Sequence, residues 1–428
     1  MTDLAWIDAA LTSARPQAVG ALLRYFRDLD SAEEAFQNAS LRALEAWPRN
    51  GPPRDPAAWL IFVGRNAGID AARRARKQTE LPEDAPAPGG ARDDDVVAHL
   101  DTADYRDDIL RLLFICCHPD LPASQQLAVA LRIVSGLSVK QIARAFLVSE
   151  TAMEQRITRA KARIARADVP FEAPAPAERA ERIAVVAAAV YLVFNEGYST
   201  SSEQAARFEL CDEAIRLARL LLRMFSDEPE VMGLMALMLL GHARTPARFD
   251  ADGAIVLLEG QDRTRWDREM INEGLALLDK AMRHRRPGPY QVQAAITALH
   301  ARAARAADTD WLQIERLYAS LEHLQPSPVV TLNRAVALSK VRGPAEALAL
   351  IEPLAAQLDG YFHFFGLRGA LLLQLGRSAE ARVSFHQAIA LARSPAEAAH
   401  IRQHLDGLIA DGETRARDVG SDPVRSSS

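Results

Sequence analysis

The sequence predicts an all-α protein, with two small helical domains followed by a helical repeat array. Three observations carry this. In the stretch GLSVKQIARAFLVSETAMEQRITRAKARIAR (136–166), Met153, Ile157, Ala160 and Ile164 recur at i, i+4, i+7 and i+11, the apolar stripe of a helix. Between Ala18 and Trp47 the pattern is again helical. Near the other end, Phe365, Gly369, Ala381, Phe385 and Ala388 set large, small, small, aromatic and small residues about an LGR turn at 375–377, the signature of two closely packed helices.

Composition bounds the function. The chain has 428 residues, 49 % of them apolar and 25 % charged, the profile of a globular protein of several domains. A net charge of −5 excludes indiscriminate nucleic-acid binding over the whole surface, so any DNA contact must be local. Three cysteines without framework spacing point to a reducing compartment. The N-terminus shows no secretion signal, and the apolar runs Ile183–Phe194 and Val231–Leu240 are too short to span a bilayer. A cytoplasmic protein with no membrane partner is expected.

The first domain is expected over 10–79. Leu22, Leu23 and Phe26 share one helical face, and Ala32, Ala35, Phe36, Ala39 and Ala43 continue a helix after Asp30. Pro48 and the RNGPPRDP segment are expected to break the chain. The next helix is apolar first, with Trp59, Leu60, Phe62 and Val63, then basic, with Arg65, Arg73, Arg74, Arg76 and Lys77 against the single acid Asp70. An acidic helix bearing Asp28, Asp30, Glu33 and Glu34 suits a basic protein surface rather than DNA. The aromatic-then-basic helix suits a nucleic-acid strand, through stacking and phosphate contact; a buried Trp59 beside a solvated arginine face reads the same letters.

Residues 80–104 are expected to form an acidic flexible linker; between 80 and 108 there are ten acidic and two basic residues. The second domain is expected over 105–168. Cys116, Cys117 and His118 lack the second ligand pair that a zinc site needs and read as a buried helix end. In 136–166, Ser149 is placed to cap the second helix. Arg156, Arg159 and Arg163, with Lys161 and Arg166, set five cations and no acid on the part of that helix away from its apolar stripe. The pattern resembles a helix-turn-helix, in which the second helix enters the major groove; an ordinary αα-hairpin with a solvated basic face reads the same letters.

The remainder is expected as a helical extension over 178–285, helical repeats over 286–412 and a disordered tail over 413–428. The Phe365–Ala388 pattern resembles the tetratricopeptide (TPR) repeat of about 34 residues, and one repeat earlier Ala335, Ala347 and Ile351 flank Gly343. The phrases FNEGY (194–198), GQDRTRW (260–266), GPYQVQAAITALH (288–300) and TDW (309–311) stand out without a role. Asp250, Asp252, Gly253 and Glu259 have calcium-loop spacing, but Arg248 occupies the first ligand position and would repel the ion. Glu196, Asp262 and His300 have no nucleophile or phosphate loop beside them. No metal, no cofactor and no catalytic site are expected.

The two N-terminal units, in their order and spacing, resemble the two domains of a bacterial sigma factor of the extracytoplasmic-function (ECF) class, within the sigma-70 family. DLDSAEEAFQNA resembles the region 2 helix that docks on the polymerase clamp. The resemblance assigns that docking to Asp30, Glu33, Glu34 and Gln37. WLIFVGRNAGIDAARR resembles the −10 recognition segment and implies DNA contacts from Trp59, Arg65, Asn66, Asp70, Arg73 and Arg74. The 136–166 unit resembles the region 4 reader of the −35 element. There Ser149, Glu150 and Thr151 begin the recognition helix, Glu154, Gln155 and Arg156 reach base edges, and Arg159, Lys161 and Arg163 hold phosphates. Gly64 departs from the usual alanine and Ser40 from a common aromatic. With the extension, the whole resembles the ECF subgroup that carries a TPR-like regulatory C-terminus, whose partner, protein or small molecule, the sequence does not name. Core RNA polymerase and promoter DNA are the implied partners. A helix-turn-helix regulator acting without polymerase, or a TPR-like scaffold, are the alternatives; a simple repressor has no need of the acidic Asp30–Gln37 helix.

Overall fold

The computed structural model describes residues 5–51, 53–77, 102–118, 120–146, 148–166, 176–198, 204–250 and 256–392, with a few positions between 398 and 405. Among the described residues every extended regular element is a helix. The chain divides into two compact units, one comprising 1–197 with 206–217 and the other 198–205 with 218–428. Residues 80–101 of the expected linker, the tail, and Asp252 and Gly253 of the calcium-like loop lie outside the described residues; the linker's last three positions, 102–104, are instead the first turn of a helix that begins at Thr102.

In the first unit, α1 (Ala5–Phe26), α2 (Leu29–Asn50) and α3 (Pro56–Lys77) pack against one another. Leu22, Leu23, Ala32, Phe36, Ala39, Ala43 and Leu60 form their shared core, as the periodicity requires. Asp28 caps α2 by accepting from Ser31 N at 2.7 Å. Pro48 does not end α2. The helix runs on to Asn50 and stops at Gly51, whose φ of 78° is the left-handed conformation that glycine adopts without strain. Proline so near a C-terminus disturbs only the last turn.

Gly64 has a structural cause. A Cβ there would lie 2.9 Å from the Ala35 carbonyl oxygen, so α3 crosses α2 too closely for alanine. Ser40 turns its hydroxyl back onto the Phe36 carbonyl at 2.8 Å and satisfies itself within α2.

The unit continues with α4 (Thr102–Cys116), α5 (Ala123–Ile133), α6 (Val139–Ala145) and α7 (Glu150–Arg166). α4 packs on α1, and α7 packs on α5 and α6. Cys116 and Cys117 are buried free thiols; burial pushes Cys117 up to about 12 and Cys116 well above its usual value. Two further helices follow, α8 (Pro176–Tyr198) and α9 (Gln204–Met224).

The second unit holds α10 (Pro229–His242), α11 (Arg268–Arg283), α12 (Pro289–Arg302), α13 (Trp311–Leu324), α14 (Pro328–Arg342), α15 (Pro344–Ile351), α16 (Phe362–Gln374) and α17 (Ser378–Leu391). Helix α10 is buried on every side and packs on α11 and α12. The α14–α15 and α16–α17 hairpins are the two repeats anticipated from spacing. Ala335, Ala347, Ile351, Ala381, Phe385 and Ala388 are all fully buried. Gly369 is required by close approach: a Cβ there would stand 2.6 Å from the Phe385 ring.

Candidate nucleic-acid and polymerase interface

The helix-turn-helix is set by local chemistry. Ser138 and Gln141 satisfy each other's end groups at the start of α6: Gln141 Oε1 accepts from Ser138 N at 2.9 Å, and Ser138 Oγ accepts from Gln141 N at 3.1 Å. Ser149 Oγ accepts from Ala152 N at 3.2 Å and caps α7. Met153, Ile157, Ala160 and Ile164 are buried, which fixes the rotation of α7 about its axis. Glu150, Thr151, Glu154, Gln155, Arg159 and Arg163 are left exposed, and Arg156 half-buried. A helix anchored by one face and open on the other can enter a major groove with its N-terminal turns leading.

Lys161 is placed differently from its neighbours. Its Nζ donates to Asp30 Oδ1 at 2.7 Å and to Glu33 Oε2 at 2.8 Å, both on α2. Glu33, only 5 % exposed, also faces Arg15 Nη2 and Arg132 Nε, each at 3.3 Å. Arg15 anchors further to the Ile133 carbonyl through Nε at 2.9 Å. Burial, opposed by Glu33, lowers Arg15 to about 10, while the Asp30 and Glu33 carboxylates outweigh burial and raise Lys161. One buried carboxylate thus collects three cations from α1, α5 and α7. A cleft of about 340 Å³ opens beside this clasp. Of the four residues assigned to polymerase docking, Glu34 and Gln37 are exposed, Asp30 is exposed but bonded, and Glu33 faces inward.

On α3, Trp59 sets its ring edge-on to Trp47 at 5.4 Å and is half-buried, so packing takes much of its surface. Arg65 is exposed and lies 4.7 Å over the Tyr25 ring; Asn66 is half-buried. The side chains of Asp70, Arg73 and Arg74 lie outside the described residues. Sequence reasoning missed Arg15 and Arg132. The available signal was Arg132 itself, a lone cation inside the apolar run LAVALRIV.

Asp262 spends its carboxylate on Thr264, accepting from N at 2.9 Å and Oγ1 at 2.6 Å. Among the described residues no cluster of three metal-ligating side chains occurs, and no helix is long and apolar enough to cross a membrane.

A three-helix unit followed by a helix-turn-helix with an open basic face defines a DNA-binding transcription factor. Comparison with known families makes this specific. Residues 11–78 match Sigma-70 region 2, and residues 111–164 match Sigma-70, region 4. These two domain matches support a sigma factor role in promoter-directed transcription, and such domains imply binding of core RNA polymerase and promoter DNA. Residues 182–282 match a family of unknown function, DUF6596. The chain is 66 % identical over 420 residues to the uncharacterized protein R00370 of Rhizobium meliloti (strain 1021), covering 98 % of this chain and 99 % of that protein, and belongs to the same family. Yeast Tom70 aligns over 97 % of this chain and 88 % of its own, at 12 % identity and a TM-score of 0.40.

Proposed function

We propose that the chain is an ECF-class sigma factor that recruits core RNA polymerase to a −35/−10 promoter in the cytoplasm, and that its helical extension, from 178 onward, regulates this step. The observation that carries the reading is the open face of α7, which leaves Gln155 and Arg159 exposed, Arg159 Nη2 donating to Gln155 Oε1 at 3.3 Å, while four apolar residues anchor the helix. In this reading Glu154, Gln155 and Arg156 read base edges, Arg159 and Arg163 hold phosphates, and Arg65 and Asn66 meet the −10 strand. Glu34 and Gln37 offer the polymerase its first contact.

The clasp gives Lys161 and Glu33 a prior task. It holds α7 against α2, whereas −35 and −10 elements lie roughly 25 base pairs apart, or about 85 Å at 3.4 Å per step. One unit with α2, α3 and α7 packed together does not span that distance, so the clasp opens before both elements are read. Roughly 25 residues separate Lys77 from Thr102, enough chain to reach about 80 Å when extended. Run-off transcription with core polymerase on a pool of random promoters tests the function. Enrichment of a bipartite motif supports it; binding of promoter DNA without any binding of core polymerase refutes it.

A further inference from the structure

Three of the unexplained sequence phrases converge on one cavity in the second unit. GQDRTRW supplies Arg263, GPYQVQAAITALH supplies His300, and TDW supplies Thr309 and Trp311. The cavity measures about 300 Å³, at the small end of the range for small-molecule sites, and Ile314, Tyr318 and Val336 complete apolar walls. The fourth phrase, FNEGY, joins from behind: Tyr198 Oη accepts from Arg244 Nη2 at 3.0 Å.

The charge in this wall is unbalanced. Arg263 is only 8 % exposed, and its Nη1 is clamped by the carbonyls of His300 at 2.5 Å and Ala303 at 2.6 Å. A guanidinium has five N–H donors, and among the described residues those on Nε and Nη2 have no hydrogen-bond partner. Among the described residues no carboxylate pairs with Arg263 or Arg244. The nearby acids are already engaged, Glu259 by Lys340 at 2.8 Å and Asp308 by Arg305 at 2.8 Å. The two guanidiniums act on His300: burial first, then Arg244 and Arg263, lower it to about 4, which leaves a neutral imidazole in the wall, edge-on to Trp311 at 5.2 Å. Asn333 adds an amide on the exposed face of α14.

We propose that this cavity binds a small organic monoanion with a planar apolar body, an aromatic carboxylate, whose charged end is held by Arg263. A carboxylate matches the remaining guanidinium donors, the ring lies among Trp311, Ile314 and Tyr318, and His300 or Asn333 donates to the second oxygen. Such a ligand is the signal that the extension senses; this last step rests on the regulatory reading above, whereas the site itself does not.

The test uses the full chain with benzoate and 1-naphthoate as probes, and benzamide and benzylamine as matched neutral and cationic controls, measured by calorimetry and by NMR of the His300 ring. The carboxylates are expected to bind at least about tenfold more tightly than either control. They should also raise the His300 titration from its low value, because a nearby carboxylate favours the imidazolium. Val336→Trp fills the cavity from its rim, where Val336 is 36 % exposed, and is expected to abolish binding without disturbing the Arg263 clamp. No carboxylate binding up to about 10 mM, equal binding of benzylamine, or undiminished binding by Val336→Trp each overturns the site. Saturating benzoate that leaves run-off transcription unchanged, with binding intact, overturns only its regulatory role. Absence of transcription by the wild-type chain both without ligand and with saturating benzoate overturns the function proposed above and leaves the binding result standing.

Discussion

Replacing Glu33 with glutamine removes the one negative charge buried among Arg15, Arg132 and Lys161. Glutamine keeps the shape and some hydrogen bonding, so the effect is mainly electrostatic. Removing one partner of a buried ionic network costs about 3–5 kcal/mol, because the remaining charges stay buried and unpaired. Here the side chains of Lys161 and Arg132 are 18 % and 24 % exposed and Asp30 still holds Lys161, so water and that second acid screen part of the penalty. The lower end, about 3 kcal/mol, is the expected loss for the first unit. Urea denaturation of the full chain followed by circular dichroism measures it, with Glu45→Gln as the comparison. Glu45 is exposed on the same helix and carries the same charge, and its removal should cost less than about 0.5 kcal/mol. The cycle with Lys161→Met should show coupling, since the double variant removes both the acid and one stranded cation. A Glu33→Gln loss below about 1 kcal/mol, or equal to that of Glu45→Gln, refutes the clasp as a buried network.

Three further outcomes are expected. Gln155→Ala should relax base preference within the −35 element by about 1–3 kcal/mol, whereas Arg163→Ala should weaken binding to all sequences and reduce the salt slope by about one; fluorescence anisotropy on duplex panels at several salt concentrations separates the two. Gly64→Ala should destabilise the first unit despite alanine's advantage of about 1 kcal/mol in a helix, because the new methyl meets backbone at Ala35; a rise in midpoint denaturant would contradict the crossing geometry. His300 should make the second unit acid-sensitive. Its folded value of about 4 lies below the usual 6.5, so the unfolded chain binds the proton more readily, and stability present above about pH 6.5 is lost as pH falls toward 4. The ceiling is roughly 3 kcal/mol, less screening at this half-buried ring, and His300→Gln should flatten that part of the pH–stability curve.

The sequence by itself determined the local architecture. The i, i+4, i+7 stripe of α7 fixed which face is buried, and Ser149 fixed where the helix begins, because periodicity and capping act within a few residues. The small residues at Gly369, Ala381 and Ala388 likewise announced a close helix pair before any packing was visible. An apolar stripe states that a face is covered, however, and not by what. Only the tertiary structure decided that Glu33 turns inward to Arg15, Arg132 and Lys161, since the Arg15 anchor at Ile133 joins positions 118 apart in the chain. The same holds for Gly64, whose departure from alanine is explained only by the Ala35 carbonyl that packs across it. Pro48 looked like a breaker until the helix was seen to end three residues later at Gly51. The cavity is the extreme case: Arg263, His300, Trp311 and Val336 come from four elements, and no local rule links a guanidinium in one turn to an imidazole on a distant helix. Side-chain identity set the chemistry available, and long-range packing in low-dielectric surroundings decided which charges were paired and which were left to meet a ligand.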